Sequence, residues 1–570
     1  MTAIYLVGLM GSGKSTVGRR LANALAARFV DADEALVATA GKPIARVFAE
    51  DGEAAFRALE ERTVAAIVDS ARAAGVDVVV ALGGGAVLSA ATRRRLGQTG
   101  FTLWLRAPPD ELARRTMTEF GAGAEERPLL SGLGREGRIA RFDELLRARG
   151  PLYEAVADLV VDTGGREAGA VVGQVLEWLE AVPPVRVEAG GGGYDVFVER
   201  GGLGRLGRRL RRAGLAPGPV GLVVERAVEE IGLLERAVAG LEAGGYRPSV
   251  LRVPSGEEGK TLAQVGALCE GFAAARLERG TPVVGLGGGA LGDAAGFAAA
   301  VYLRGVPLVL APTTLLAQVD AAIGGKTAAN LPAGKNLVGA FHAPRVVVAD
   351  PDVLATLPAR EARSGLGEVL KYALIAPPAD GLLGVVDDAL ADALAPWAER
   401  GEAAAPDARL LADLVRRCAR IKADVVSRDE REAGPRKVLN LGHTIGHAIE
   451  AAAGYGPVAH GDAVVHGLYG ALWLSEREGL LAASARAGLE ALLDRLPVPP
   501  VPASVADEAV LAAIVHDKKV RDGKLLFVLL RGPGDPVLDV EVSLDEAAAA
   551  LACVRARGRE PERERGRARA

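Results

Sequence analysis

Residues 3–16, AIYLVGLMGSGKST, read as a short apolar run that breaks into a glycine-rich turn and then into a helix-forming stretch. Residues 8–15 fit the spacing G-x-x-x-x-G-K-[ST], with a strand expected over 3–7 and a helix over 17–27. Gly8, Gly11 and Gly13 let backbone amides turn inward at phosphate oxygens, and the start of a helix adds a favourable potential. Lys14 then reaches the outer phosphates and the Ser15 hydroxyl can ligate magnesium. Gly11, Ser12, Gly13, Lys14, Ser15 and Thr16 are therefore the candidate contacts to the phosphates of a nucleotide with Mg2+.

Outward from this loop, residues 76–82 and 101–105 are buried-strand candidates between helical stretches, which predicts a parallel sheet with covering helices. Asp31-Ala32-Asp33 closes a second strand-like run. Alternation would place both carboxylates on one side, one toward magnesium and one toward a substrate hydroxyl. Arg57 in DGEAAFRALEE and Gly83, Gly84 and Gly85 after VVVAL offer a guanidinium fork and close-approaching backbone for a small carboxylated ring. Arg127 in ERPLL and Arg149 in RARGPLY add two cations. Any one of these arginines alone is more often a surface charge, so the weight lies in their combination.

The chain has 570 residues, too many for one core, and suggests three or four units. The composition, 49% apolar and 25% charged, is globular. With 72 acidic and 68 basic residues the net charge is −4, so neither nucleic acid nor an anionic membrane is an expected partner. Cys269, Cys418 and Cys553 are far apart and form no C-x-x-C pair, which fits a reducing compartment, the cytoplasm, and excludes a cysteine zinc site. Gly residues and Lys14 interrupt the apolar N-terminus, against a signal peptide, and no run of about 18 apolar residues predicts a membrane span.

The stretch AVPPVRVEAGGGG, 181–193, marks a boundary at Pro183 and Pro184. It separates a first α/β domain, 1–182, from a second, 185–351, with strand-like runs at 220–224, 283–286 and 346–349. Residues 352–553 are expected to be mainly helical (409–427, 444–453, 462–478) with one strand-like run at 524–530. The Arg- and Glu-rich residues 554–570 lack apolar periodicity and are expected to be a disordered basic tail.

Two stretches in the second half carry chemistry. Residues 282–293, PVVGLGGGALGD, form a strand followed by Gly287-x-Gly289-x-x-Gly292 and a helix start, a place for a pyrophosphate against backbone amides. No acidic residue follows at about 20 positions, so a ribose contact must come from elsewhere. Four of the six histidines, His443, His447, His460 and His466, fall within residues 440–466. His443 and His447 share a helix face, but the motif lacks the Glu of a metalloprotease. A divalent metal with an open position needs a third ligand, for which Glu368 in SGLGEVLKYA is one of many carboxylates.

Taken in order, GLMGSGKST, DAD, DGEAAFRALEE, LGGGAV, ERPLL and RGPLY make residues 1–180 resemble the shikimate kinase family. The resemblance implies that Lys14 and Ser15 serve ATP and magnesium, and that Asp33, Arg57, Gly83, Gly84, Gly85 and Arg149 hold shikimate. Asp33 would position or deprotonate the hydroxyl, Arg127 would be a lid arginine, Arg115 would lie against adenine, and Asp31 would support the magnesium shell. The segment TMTEFGAGAEE and the following SGLGREG are longer and richer in Gly than the family pattern.

Residues 185–553 resemble the 3-dehydroquinate synthase family through SGEEGK, GLGGGALGD, APTTLLAQVDAAIGGKTAAN, GKNLVGAFH, SGLGEVLKYA, IKADVV, NLGHTIGHAIE, HGDAV and HDKKV. That resemblance implies Zn2+ or Co2+ on Glu368, His443 and His460, with His447 off the metal and facing the substrate phosphate. It implies NAD+ at Glu257, Lys260, Gly289, Ala290, Leu291, Gly292, Asp293, Thr313, Thr314 and Lys335. Substrate falls to Asp320, Lys326, Asn336, Lys371, Lys422, Arg436, Asn440 and Lys518, of which Lys326, Lys371, Arg436 and Asn440, with His447, are the catalytic candidates. The pattern departs at Glu225 and Ser255, and the adjacent Lys518 and Lys519 compete for one role.

The expected activities are phosphorylation of shikimate to 3-phosphoshikimate, and conversion of 3-deoxy-D-arabino-heptulosonate 7-phosphate to 3-dehydroquinate with loss of phosphate. The expected assembly is a homodimer through the second half. Competing readings are another small-molecule kinase for the first half, and a related sugar-phosphate cyclase or a glycerol dehydrogenase for the second. A silent interaction module is a third.

Overall fold

The computed structural model describes residues 3–73, 78–119, 130, 132–157, 159–180, 184–189, 192–516, 520–521 and 524–567. The chain divides into two compact units at Pro183 and Pro184, apart from the short stretch Asp407–Arg409.

The first unit is built on strands β1 (Ala3–Val7), β2 (Arg28–Asp31), β3 (Val78–Ala81), β4 (Gly100–Arg106) and β5 (Leu159–Asp162). They run parallel in the order β2-β3-β1-β4-β5. Because successive side chains alternate, Tyr5 and Val7 join one core with Val78, Val80, Trp104 and Phe142, while Ile4 and Leu6 join the opposite one with Val17, Leu21, Leu103 and Val161. Both faces are covered, which is why β1 and β3 read as unbroken apolar runs. All five strands point the same way, so the loops after β1, β2 and β3 gather at one edge of the sheet.

The second unit holds β6 (Val185–Val187), β7 (Tyr194–Val198), β8 (Pro219–Glu225), β9 (Arg247–Val253), β10 (Val283–Gly287), β11 (Leu308–Pro312), β12 (Lys326–Leu331), β13 (Gly334–Phe341) and β14 (Val346–Ala349). Seven of them form a sheet in the order β6-β7-β14-β11-β10-β8-β9, parallel except for the edge strand β6. β12 and β13 make a separate antiparallel hairpin. From Ala359 onward helices dominate, followed by β15 (Val520–Arg521), β16 (Lys524–Gly532) and β17 (Asp535–Val542) in an antiparallel sheet. One hydrophobic core runs from Val185 to Val554, so the change near residue 352 is one of architecture within a continuous unit.

The hairpin β12–β13 and the strand β17 escape the sequence reading. Their residues are largely half-exposed and interspersed with Lys, Asn, Asp and Gly, which blurs the period-two pattern. The expected tail differs too: residues 554–567 continue the helix Leu544–Arg567. Val554 is buried, and Arg555 donates to Asp507 Oδ1 at 2.8 Å, so the first turn past residue 553 is anchored.

Candidate active sites

The loop after β1 folds as its glycines demand. Gly8 has φ 141°, and a Cβ there would collide with the carbonyl oxygen of Leu105. Lys14 opens the helix Lys14–Leu25 and donates from Nζ to the carbonyls of Gly8 and Leu9 at 2.9 and 3.0 Å, so its ammonium lies over the loop. Ser15 Oγ donates to Asp31 Oδ2 at 2.6 Å, and Asp31 Oδ1 accepts from the Asp33 amide at 3.0 Å. This corrects the expectation of two carboxylates on one strand face. Asp31 ends β2 and caps the helix Ala32–Ala40, while Asp33 belongs to that helix's first turn. Both still reach the loop edge of the sheet.

Glycine explains the next set of contacts. A Cβ on Gly83 would lie 2.8 Å from Asp33 Oδ1 and 2.7 Å from Glu60 Oε1, and one on Gly85 would collide with the Arg57 guanidinium. Arg57 Nη1 donates to Glu60 Oε2 at 2.8 Å. Arg149 Nη1 and the Tyr153 hydroxyl both donate to the Gly84 carbonyl, at 3.0 and 2.6 Å. Asp33, Arg57, Gly83, Gly84, Gly85 and Arg149 thus lie together at the loop edge of the sheet. Glu60 was missed, although it stands one helical turn beyond Arg57. Burial raises its pKa and Arg57 opposes the shift.

Arg115 donates from Nη1 to the Gly11 carbonyl and Thr163 Oγ1, both at 3.2 Å, and from Nη2 to the Thr163 carbonyl at 2.5 Å. It braces the back of the phosphate loop. Arg127 lies outside the described residues.

In the second unit three helices meet at a cluster of carboxylates and imidazoles: Ala359–Ile375, His443–Ala452 and His460–Arg477. Gly461 and Gly467 permit the approach, since a Cβ on either would collide with the Ser364 or Gly442 carbonyl of a neighbouring segment. Glu368 Oε1, fully buried, lies 3.2 Å from His443 Nε2 and 3.1 Å from His460 Nε2, while Lys371 pairs with Oε2. His447 completes the group: one ring nitrogen from each of His443, His447 and His460 lies within 4.8 Å of the others. His447 thus shares the imidazole group, while the contacts to Glu368 come from His443 and His460. The second ring nitrogens are fixed as well, His460 Nδ1 by Glu450 Oε2 at 2.9 Å and His443 Nδ1 by the Leu441 carbonyl at 3.1 Å. Burial disfavours charge on His460, yet the hydrogen bonds to Glu368 and Glu450 push its pKa up to about 10. This pocket attracts a cation.

Beside it, Asp320 sits in the wide helical turn Ala317–Ala321. Its Oδ1 accepts from the Tyr372 hydroxyl at 2.5 Å and pairs with Lys422 at 2.9 Å and Lys371 at 3.7 Å. Burial would raise the Asp320 pKa, but Lys422 and Lys371 hold it below the usual carboxylate range. Burial also lowers Lys422 to about 8. Below pH 8 this lysine is charged, and above it the charge is lost. The KM for an anionic substrate at this site is accordingly expected to rise as pH increases through about 8, by several-fold, in steady-state assays with and without Lys422→Arg, which should flatten the profile.

The remaining residues lie around the hairpin and the glycine turn. Lys326 pairs with Glu432, which also accepts from Asn440 Nδ2 at 2.7 Å. Glu432 has φ 59°, an uncommon conformation for a non-glycine residue, and no sequence period announced it. Arg436, buried, points at the Gly324 and Glu430 carbonyls. The Asn336 amide donates to Asn330 Oδ1 at 3.0 Å, and Lys335 lies 3.4 Å from Glu450 and 3.6 Å from Glu257. Lys260 pairs with Asp293 at 2.5 Å.

At the turn after β10, a Cβ on Gly287 would lie 2.7 Å from Glu225 Oε1 and 2.9 Å from Leu291, and one on Gly288 would press on Thr314 at 3.3 Å. Gly289, Ala290, Leu291 and Gly292 open the helix Gly289–Val301. The Thr313 amide donates back to the Gly287 carbonyl at 2.9 Å. Glu225, noted as a departure, accepts from the Gly288 and Gly256 amides at 2.7 and 3.1 Å, and Ser255 Oγ accepts from the Ala227 amide at 3.1 Å. Lys518 and Lys519 lie outside the described residues.

Family models match the chain in three consecutive blocks: shikimate kinase over residues 10–180, the 3-dehydroquinate synthase N-terminal region over 250–364 and its C-terminal region over 365–520. The 3-dehydroquinate synthase of Pelobacter propionicus is 41% identical over 352 residues, which are 62% of this chain and 94% of that one. Among solved structures, 2-epi-5-epi-valiolone synthase from Streptomyces hygroscopicus with NAD+ and Zn2+ bound is similar at 28% identity and a TM-score of 0.56, covering 64% of this chain and 97% of that one. A 2-deoxy-scyllo-inosose synthase complexed with carbaglucose-6-phosphate, NAD+ and Co2+ is similar at 26% identity and a TM-score of 0.56, covering 65% and 98%. The chain belongs to the 3-dehydroquinate synthase family, whose models match residues 250–520, and it carries a shikimate kinase domain ahead of them.

Proposed function

We propose that one polypeptide performs two steps of aromatic amino-acid biosynthesis. The first unit transfers the terminal phosphoryl group of ATP to shikimate. The second converts 3-deoxy-D-arabino-heptulosonate 7-phosphate to 3-dehydroquinate and releases phosphate. The observation that carries the reading is convergence: residues scattered from Ser15 to Arg149 in the first unit meet at one sheet edge, and residues scattered from Glu368 to His460 in the second meet at one three-helix junction.

The donor sets fit the implied cofactors. Ser15 Oγ and Asp31 offer hard oxygens suited to Mg2+, next to a loop of inward amides and a lysine. Glu368, His443 and His460 offer the mixed N and O donors suited to Zn2+ or Co2+. The turn at Gly287 and Gly288, crowded by Glu225 and Thr314 so that glycine fits best, suits a dinucleotide pyrophosphate. When bound, NAD+ takes up and returns a hydride, the divalent cation polarises the substrate oxygen, and Mg2+ screens the phosphates of ATP.

The protein's own groups do the rest. In the kinase, Lys14 leaves its carbonyl partners to meet the phosphates, as Arg127 would from the lid, and Asp33 aligns the attacking hydroxyl. Arg57 and Arg149 hold the shikimate carboxylate and ring, and Glu60 fixes the Arg57 fork. In the synthase, Lys371 and Lys422, balanced by Asp320, face the oxidised centre. Lys326, Asn336, Arg436 and Lys518 bind phosphate and carboxylate, and His447 with Asn440 manages the proton that leaves during elimination. Glu257, Lys260, Asp293, Thr313, Thr314 and Lys335 line the dinucleotide path.

Arg57→Ala tests the kinase half. The shikimate KM should rise at least tenfold with the ATP KM within about twofold, in line with losing a charged, bidentate contact of about 1.5–3 kcal/mol. Equal effects on both substrates would refute the role of Arg57.

A homodimer through the second unit is supported by exposed Val301, Leu303, Leu337 and Phe341 on the helix Gly289–Val301, its following turn and β13. Light scattering should give twice 58.7 kDa, and Leu337→Ser with Phe341→Ser should halve it. The three free thiols are in keeping with the cytoplasm. Among the described residues no helix is long and apolar enough to cross a membrane.

A further inference from the structure

In the first unit, the helix Ile44–Ala73 crosses over β2 and β3 and leaves a cavity of about 430 Å³ between them. Val30, Leu59 and Ile67 give it an apolar lining, and the exposed Arg28 and Arg62 stand at its mouth. Neither guanidinium has a partner among the described residues. Thr63 also lines it, only 6% exposed, but its Oγ1 is closed off from the open space and, among the described residues, has no hydrogen-bond partner. An apolar chamber with two cations at the mouth is built for an anion with an apolar body, and the volume is that of a small-molecule site.

The position of the cavity gives it a consequence. Leu59 precedes Glu60, Arg62 and Thr63 follow it, and all three stand on the helix that carries Arg57. Val30 precedes Asp31 on β2, and Asp31 caps the helix that carries Asp33. Whatever fills the space steadies the helix and strand that position the carboxylate and hydroxyl contacts of the kinase site. We propose that this cavity is a regulatory site for an amphipathic carboxylate, a small acid with a ring- or chain-sized apolar body, whose binding tightens the hold on shikimate. The effect rests on the kinase reading above, whereas the binding does not.

The probe is 3-phenylpropionate, with 3-phenylpropan-1-ol and inorganic phosphate as controls. Calorimetric titration of the full chain should show saturable binding of the acid with a Kd below about 1 mM, and none of either control. With the acid present the shikimate KM should fall about threefold at unchanged kcat. The double variant Arg28→Gln, Arg62→Gln should lose both effects while keeping its unliganded kinase constants. Absence of saturable binding, equal binding of phosphate, binding that survives in the double variant, or binding with unchanged KM would each overturn the proposal. A chain that fails to phosphorylate shikimate even without the probe would instead overturn the kinase reading, because calorimetry registers binding regardless of turnover.

Discussion

Glu368→Gln is expected to lower 3-dehydroquinate synthase turnover by at least about a thousandfold, equivalent to about 4 kcal/mol of transition-state stabilisation, and to leave kinase constants within about twofold. The residue is fully buried, and one oxygen lies within 3.2 Å of both His443 and His460. An amide keeps the shape but removes the charge that makes the trio a divalent-cation site. The same change leaves Lys371, itself buried, without its closest carboxylate. Breaking a buried pair on one side costs about 3–5 kcal/mol, so thermal unfolding must be measured beside activity. Glu368→Asp, which keeps the charge, should fold well and hold metal weakly. Metal content per chain, by atomic absorption, should fall in parallel with phosphate release.

Lys14→Met should abolish shikimate phosphorylation to a comparable degree while sparing the synthase. Its ammonium lies over the loop carbonyls of Gly8 and Leu9, from which it can swing to the transferring phosphoryl group. In this chemistry positioning and charge stabilisation carry nearly all of the catalysis, so the loss should appear in kcat more than in the shikimate KM. Coupled detection of ADP separates the two. A variant with more than a tenth of the parent kcat would contradict the role given to Lys14.

Much of both sites was legible before any coordinates, because their key signals are local. The run through Gly8, Gly13 and Lys14 carries its own geometry, and His443 and His447 share a helix face by spacing alone. What escaped is non-local. Glu432 and Glu450 matter through Lys326, Asn440 and His460, partners brought near by folding, and nothing in their neighbourhood along the chain marks them. Glu60 was nearer to hand, one helical turn from Arg57, but DGEAAFRALEE holds several glutamates that sequence cannot rank. The pairing of Asp31 and Asp33 failed for another reason: the strand ends at Asp31, and a cap converts the next residues to helix. The hairpin β12–β13 carries Lys326, Lys335 and Asn336 on a half-exposed ribbon whose alternation is too weak to read.

Separate chemistry implies separate metal requirements. The Ser15 and Asp31 oxygens favour a weakly held, exchangeable Mg2+, whereas the buried Glu368 and His443, with the half-buried His460, favour a retained Zn2+ or Co2+. The most direct test strips the intact chain of metal with a chelator, removes the chelator, adds Mg2+ alone and assays both reactions on the same sample. Shikimate phosphorylation should persist, and phosphate release from the linear heptulosonate phosphate should vanish and return with Zn2+ or Co2+. Synthase activity that survives complete metal removal would contradict the account.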